Sequence, residues 1–225
     1  MKTKSLFIYL LFTALASSFC CQNSCWAQAL LVRGLGKVSK IVNGDTIPLK
    51  NGDKLQIHDT IRTGESSLAI VQLPPHTTMK ILANSQLQLT SLMKDSQEAN
   101  LEEGGILVQF KKIIDSNKKE SVPLKIRAKN ASMGVRGTKF FVSNFKNNIW
   151  MCVKEGNVEV KKADESKQVG AGLGMNISEK SPLENPKEYA WTKNIIWNFD
   201  AKNMDIKEGQ IPGPDYTDPL DFDYD

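Results

Sequence analysis

The chain has 225 residues and a formal net charge of +4, with 24% charged and 40% hydrophobic residues. It contains no H-E-x-x-H, C-x-x-C, G-x-S-x-G or P-loop pattern, so the motifs of zinc proteases, thiol oxidoreductases, serine hydrolases and P-loop nucleotide hydrolases are all missing. We therefore predict a non-enzymatic protein with no cofactor, no bound metal and no nucleic-acid partner.

The first 29 residues have the layout of a secretory signal peptide. A basic start, MKTK, precedes a nearly all-apolar run over 5–16, and Ala27-Gln28-Ala29 is a small-residue cleavage pattern. Cleavage after Ala29 leaves a mature chain without a membrane span. We therefore expect an exported protein.

Two other interpretations of the N-terminus stay open. An uncleaved anchor ranks second, because the apolar run is shorter than the ~20 residues that a membrane span needs. A lipoprotein ranks third, because the residues before Cys20, Cys21 and Cys25 fit a lipid-attachment site poorly. After cleavage only Cys152 remains, and its strand-like surroundings favour a small buried apolar residue over a nucleophile.

Charge divides the mature chain into a basic body and an acidic end. Residues 205–225 hold seven acids against Lys207, a net charge of −6, which leaves +8 on residues 30–204. We predict a disordered acidic tail over 205–225. The basic body is typical of solvated lysines on outward strand faces, although it could also favour an anionic envelope surface or an acidic glycan.

Residues 30–180 are predicted to form one β-domain. Short apolar and β-branched pieces alternate with turn signals such as Asn43-Gly44 and Asn51-Gly52. SLAIVQL, residues 67–73, has the composition of a strand, and SQLQLTSL, residues 85–92, alternates at period two. The pattern predicts an all-β fold, a jelly-roll or β-solenoid-like sandwich of short strands.

Residues 181–204 are predicted to form one C-terminal amphipathic helix. Asn185 can cap it, and Pro186 suits its first position. Its apolar side then carries Trp191, Ile195, Ile196 and Phe199. We expect this helix to dock on an open end of the β-domain; a partner-binding helix is the alternative.

Two other stretches resemble chemical sites only superficially. VGAGLGMNIS, residues 169–178, has G-x-G-x-G spacing and a strand after it, which indicates a turn rather than a dinucleotide site. Glu102 and Glu103 are adjacent on a predicted strand and would face opposite ways, so they do not form the facing acid pair of a glycoside hydrolase.

The stretch SMGVRGTKFFVS, residues 132–143, places an arginine between two glycines at the start of a strand. Gly134 and Gly137 allow a positive φ or a close backbone approach. Arg136 can satisfy several carbonyl groups and latch the bend, and we favour this interpretation. The alternative is an anion-binding role for Arg136 with a carboxylate or phosphate.

Four stretches in order resemble the FecR domain family. Asp59-Thr60-Ile61-Arg62-Thr63-Gly64 resembles its G-D-x-I-x-T-G phrase, GVRGTKFFV its signature, VKEGNVEV its V-x-E-G-x-V-x-V phrase, and VGAGLGMNI its closing strand. The resemblance covers about residues 36–178. The motif positions that we expect to be structural are Arg62, Gly64, Gly134, Val135, Gly137, Thr138 and Gly156.

This resemblance implies an exported all-β domain of a bacterial protein that is periplasmic or associated with the cell envelope. Such a domain receives signals outside the inner membrane and is joined in the best-known members to a cytoplasmic anti-sigma segment. No such segment is recognisable in this sequence, so direct sigma-factor control is not implied. We expect an unidentified envelope protein as partner. The alternative is a glycan- or peptidoglycan-binding domain that uses exposed tryptophans such as Trp150, Trp191 or Trp197. The candidate binding residues are Arg136, Trp191 and Trp197.

Overall fold

The computed structural model describes residues 28–199 except 75–76, 94–95, 111–122, 136 and 147, with only the backbone of Asn194. The predicted signal peptide, except its last two residues, and the predicted acidic tail lie outside the described residues. No helix within the described ranges is long and apolar enough to cross a membrane.

The all-β prediction is confirmed, because the described chain consists mainly of β-strands with one short 3-10 helix, Ala190–Asn194. The strands are β1 Ala29–Leu35, β2 Val38–Val42, β3 Asp45–Pro48, β4 Lys54–Leu55, β5 Thr60–Thr63, β6 Leu68–Leu73, β7 Thr77–Ile81, β8 Gln86–Leu92, β9 Gln97–Phe110, β10 Leu124–Ala128, β11 Ala131–Val135, β12 Lys139–Phe145, β13 Asn148–Glu155, β14 Asn157–Lys162, β15 Glu165–Gly170 and β16 Gly174–Ser178.

The strands form two sheets that share β9. Sheet A has the order β4-β1-β6-β7-β9-β12-β13-β16. Sheet B has the order β3-β2-β5-β8-β9-β10-β11-β14-β15. Residues 97–103 of β9 pair in sheet B and residues 104–110 pair in sheet A. The bend falls at Gly104, whose φ of +83° is in the left-handed region.

Most ribbons of this sandwich pass from one sheet to the other at a corner. The pair β1–β6 in sheet A continues as β2–β5 in sheet B, and the pair β12–β13 in sheet A continues as β11–β14 in sheet B. The chain therefore forms antiparallel ribbons that fold over onto themselves and enclose a core between the two layers.

Strand alternation determines which side chains enter that core. In β10, Leu124, Ile126 and Ala128 are buried, whereas Lys125 and Arg127 face solvent. The core contains apolar residues from both sheets in one continuous cluster. Each large apolar side chain buried there contributes about 1.5–3 kcal/mol, so the interior between the sheets is the main source of stability.

A second apolar cluster lies on the outer face of sheet A. In β6, Ala69 and Val71 point into the core, whereas Leu68 and Ile70 point to this outer face. The other members of the outer cluster are Leu82, Leu107, Phe141, Cys152 and Ile195. Trp191, Ile195, Trp197 and Phe199 pack in this cluster, and we call residues 183–199 the strap.

The predicted helix over 181–204 is absent from the described part of this segment, residues 181–199. Only Ala190–Asn194 are helical, and they form a 3-10 helix. At the end of the strap Ile195 is buried, Ile196 is 51% exposed, and Trp197 and Phe199 are partly buried against the sheet. This alternation of buried and exposed residues has the period of an extended chain. An extended chain spans about 3.3 Å per residue against 1.5 Å in a helix, so the same number of residues covers more of a flat sheet.

Candidate functional site

The predicted motif residues lie mainly at the corners between the two sheets. Gly64 follows β5 at the corner to β6, Gly137 and Thr138 lie between β11 and β12, and Gly156 lies between β13 and β14. The family-like phrases in the sequence therefore mark the places where ribbons fold over.

Two of these corners pack directly on each other. Gly137 has a φ of +67° and Gly156 a φ of +83°. A Cβ at Gly156 would lie 2.7 Å from the Gly137 carbonyl oxygen and 2.7 Å from Cγ2 of the buried Thr138. Both the backbone conformation and the space at Gly156 therefore require glycine.

A similar contact joins the corners of the N-terminal half. The Gly64 amide donates to the Lys37 carbonyl at 2.9 Å, and the Lys37 amide donates to Ser67 Oγ at 2.8 Å. A Cβ at Gly104 would lie 2.5 Å from Cα of Ser85, at the corner between β7 and β8. These contacts explain why small residues stand at the corners.

Two other motif positions lie inside a strand. Gly134 and Val135 lie inside β11, where Val135 faces the core and is 3% exposed. Gly134 does not have a positive φ, and a Cβ there would make only ordinary contacts, the nearest at 3.8 Å with Glu159. The expectation that Gly134 serves a special conformation is therefore not supported. Arg136 lies outside the described residues, so its latch and anion-binding roles both stay predictions.

The predicted binding residues Trp191 and Trp197 pack against the outer face of sheet A. Trp150 is 3% exposed and meets Tyr189 and Trp191 edge-on, with ring centroids 5.7 and 6.1 Å apart. These rings are engaged in holding the strap to the sheet. They do not form the exposed aromatic platform that the glycan interpretation needed.

A lysine that sequence reasoning missed lies beneath the strap. Lys80 of β7 is 1% exposed and pairs with Ile70 on one side and Leu107 on the other. Its Nζ donates to the Asn198 carbonyl of the strap at 3.3 Å. Burial lowers the pKa of Lys80 to about 8.

Cys152 has the properties of an unreactive buried thiol. Cys152 is 1% exposed, and burial raises the pKa of its thiol to about 12. The thiol therefore stays protonated at neutral pH and is a poor nucleophile. Among the residues that the structure describes, no group of three or more His, Cys, Asp or Glu side chains could hold a metal ion.

A polar cleft of about 580 Å³ opens beside the corners of the N-terminal half. Four of its lining residues are directly paired, each with the next, across four adjacent strands of sheet B, and we call this line of partners a register row. They are Ser39 of β2, Arg62 of β5, Gln86 of β8 and Glu103 of β9. The rest of the lining is Lys37, Thr63, Gly64, Asn84, Ser85 and Phe145. Arg62, expected only as a motif position, thus lines this polar cleft.

The floor of this cleft is rigid. The amide of Thr63 donates to the carbonyl of Ser85, and the amide of Ser85 donates to Oγ1 of Thr63, both at 3.0 Å. The Gly105 amide donates to Ser85 Oγ at 2.9 Å. Because Thr63 and Ser85 are buried, these bonds fix the relative positions of β5, β8 and β9 beneath the lining side chains.

Comparison with known proteins gives a family and a distant structural likeness. The family model described as FecR protein matches residues 59–159. Two crystal structures of a Parabacteroides distasonis protein described as a "putative anti-sigma factor" are similar at 17% identity and a TM-score of 0.49. The alignment covers 60% of this chain and 62% of that one, so the chain spans less than two thirds of that protein. No curated protein matches the chain.

The matched region runs from Asp59, at the start of the first family-like phrase, to Glu159 in β14. It contains the β5–β6, β7–β8, β11–β12 and β13–β14 corners and all of β9. The resemblance to the FecR family that the sequence predicted is therefore confirmed over residues 59–159.

Proposed function

We propose that this protein is an exported, non-enzymatic module that takes part in bacterial envelope signalling by contact with another protein. The observation that carries the proposal is the FecR domain over residues 59–159, since FecR proteins are envelope-associated regulators. The signal-peptide layout of the first 29 residues supports export to the periplasm or the envelope.

An edge of sheet B offers the contact surface that best fits this role. All four residues of the edge strand β3 are exposed, and Ile47 is 44% exposed at its centre. An edge strand presents backbone donors and acceptors that a partner strand can pair with, and an apolar side chain adds a contact. The corresponding edge of sheet A at β16 is occupied in part, because Gly174 forms a bridge with Lys187 of the strap.

Site-specific cross-linking in living cells tests the proposal. A photoreactive residue replaces Ile47 in the tagged full-length chain, and the same residue at Lys161, on the outer face of sheet B, is the matched control. We expect a discrete cross-linked protein from position 47 and none from position 161. A chain that ends at Met204 shows whether the acidic tail is needed.

Two results would contradict the proposal. One is the absence of any protein cross-link from position 47 together with retention of the chain on purified cell wall. The other is location of the full-length protein in the cytoplasmic fraction with an intact N-terminus, since the predicted partner lies outside the inner membrane.

A further inference from the structure

The cleft beside the N-terminal corners carries polar groups that the fold leaves unused. Within the part of the chain that the structure describes, the side chains of Lys37, Arg62, Asn84 and Glu103 line the cleft without a hydrogen bond or an ion pair. Glu102, next along the chain, is by contrast bonded to Nε2 of Gln86. The cleft therefore has two cationic donors, one carboxylate acceptor and one amide available for a ligand that both donates and accepts hydrogen bonds.

The opposite charges in the cleft are kept apart by the sheet. Arg62 and Glu103 flank Gln86 in the register row, so two strand spacings, roughly 10 Å, separate their backbones. They do not neutralise each other as a salt bridge within the described residues, which leaves the guanidinium to meet an anion. Among the lining residues the net charge is +1 (Lys37 and Arg62 against Glu103), and the carboxylate of Glu102 lies beside them, bonded to Gln86.

The backbone around the cleft argues against a peptide ligand. Arg62 and Gln86 are paired with neighbouring strands on both sides, so their backbone groups cannot accept an added strand, and Glu103 is paired with Gln86 on the side that faces the cleft. The lining has one large apolar side chain, the half-buried Phe145, and thus no pockets for peptide side chains. The cleft suits a sugar better, because its planar polar groups can bind hydroxyls and the Phe145 ring, which Lys146 Nζ approaches to 5.2 Å from its centroid, can pack against the apolar face of a pyranose.

We propose that this cleft binds an acidic oligosaccharide, with Arg62 and Lys37 at a sugar carboxylate and Glu103 and Asn84 at hydroxyl groups. Phe145 packs against a sugar ring. Arg62 is the specificity-determining residue, because its planar fork can hold a carboxylate by two parallel hydrogen bonds. The site lies apart from the tryptophans beneath the strap. It borders the edge strand β3, because Ser39 of the lining pairs with Pro48, but it includes no β3 side chain, and the inference does not depend on the proposed protein contact.

Titration calorimetry of the purified full chain with tetragalacturonate tests the proposal, with the uncharged cellotetraose as comparison ligand. We expect tetragalacturonate to bind at least about tenfold more tightly than cellotetraose, because the cations of the cleft meet a carboxylate. Arg62→Gln should weaken tetragalacturonate binding at least about tenfold, and Glu103→Gln should weaken cellotetraose and tetragalacturonate alike.

Arg127→Gln is the matched control, since Arg127 is an exposed arginine on the same face of sheet B and its removal changes the net charge equally. It should alter affinity less than about twofold. Equal losses for the two arginine variants would show general attraction to a basic surface and overturn the proposal. Equal binding of both sugars, or no binding of tetragalacturonate at millimolar concentration, would overturn it too. Lys37→Gln provides a second cleft variant if Arg62→Gln does not fold.

Discussion

Replacing Lys80 with methionine tests the most unusual residue of the fold. The side chain is 1% exposed, it lies in a register row between Ile70 and Leu107, and its ammonium group reaches the Asn198 carbonyl of the strap. Methionine has a similar length and flexibility, so Lys80→Met keeps most of the packing while it removes the charge.

The expected gain in unfolding free energy on replacing Lys80 follows from the lowered pKa of its ammonium group. Burial lowers the pKa of Lys80 from 10.5 to about 8, so the charged form is disfavoured in the folded protein. A shift of that size corresponds to about 3 kcal/mol at neutral pH, where both states carry the proton. Loss of the hydrogen bond to the strap offsets about 1–2 kcal/mol of it. We therefore expect Lys80→Met to raise the free energy of unfolding by about 1–2 kcal/mol at pH 7.

The pH dependence gives an independent check. Between pH 8 and pH 10.5 the unfolded chain binds the proton of Lys80 more tightly than the folded chain does. The free energy of unfolding of the wild-type protein should therefore rise with pH in this window, by about 2–3 kcal/mol from this residue, and Lys80→Met should lack that rise.

Urea unfolding at pH 7 and at pH 10, followed by tryptophan fluorescence, measures both effects. Lys125→Met is the control, because Lys125 also lies on a strand but its side chain is 47% exposed. The reasoning would be refuted if Lys80→Met were more than about 1 kcal/mol less stable than the wild type at pH 7. It would also be refuted if the difference in unfolding free energy between variant and wild type were the same at pH 7 and pH 10.

Three further predictions concern the corners, the thiol and the start of the domain. Gly156→Ala should cost about 2–4 kcal/mol of stability, whereas Gly172→Ala, at the same φ of +83° but with no atom within 4 Å of the added Cβ, should cost only about 1–2 kcal/mol; equal costs in thermal unfolding would contradict the corner contact. In a chain that begins at Leu30 and so keeps only this cysteine, Cys152, whose thiol pKa is raised to about 12, should resist iodoacetamide at pH 8 and react only in denaturant; stoichiometric labelling of that folded chain would disprove its burial. A chain that begins at Leu30 should be about 1 kcal/mol less stable in urea than one that begins two residues earlier, because Ala29 is fully buried in β1; identical midpoints would show that Ala29 contributes nothing.

The alternation of apolar and polar residues in the sequence is sufficient to predict a strand where every second side chain is buried. In β10 the buried Leu124 and Ile126 alternate with the exposed Lys125, and such alternation predicts a strand without knowledge of its neighbours. The strap shows the limit of that method. Trp191 and Ile195 fit a helical spacing, yet Ile195 and Trp197 also fit an extended chain, and the flat outer face of sheet A favours the extended form.

Features that depend on distant parts of the chain could not be predicted from local sequence. The partner of Lys80 stands 118 residues further along the chain, so nothing in the surrounding TTMKIL stretch indicates a buried lysine. The cleft around Arg62 likewise requires four strands in register before its side chains meet. The glycines at the corners could be recognised as a family-like pattern, but the contact between Gly137 and Gly156 is visible only in the fold.

The long strand β9 has a consequence for how the protein unfolds. One half of it is paired on both sides in sheet B, and the other half is paired on both sides in sheet A. Neither layer can lose its central strand while the other stays intact, so the layers do not act as separate cooperative units. A partially opened intermediate that keeps one sheet is accordingly disfavoured, and melting of the β-domain should follow a single all-or-none transition.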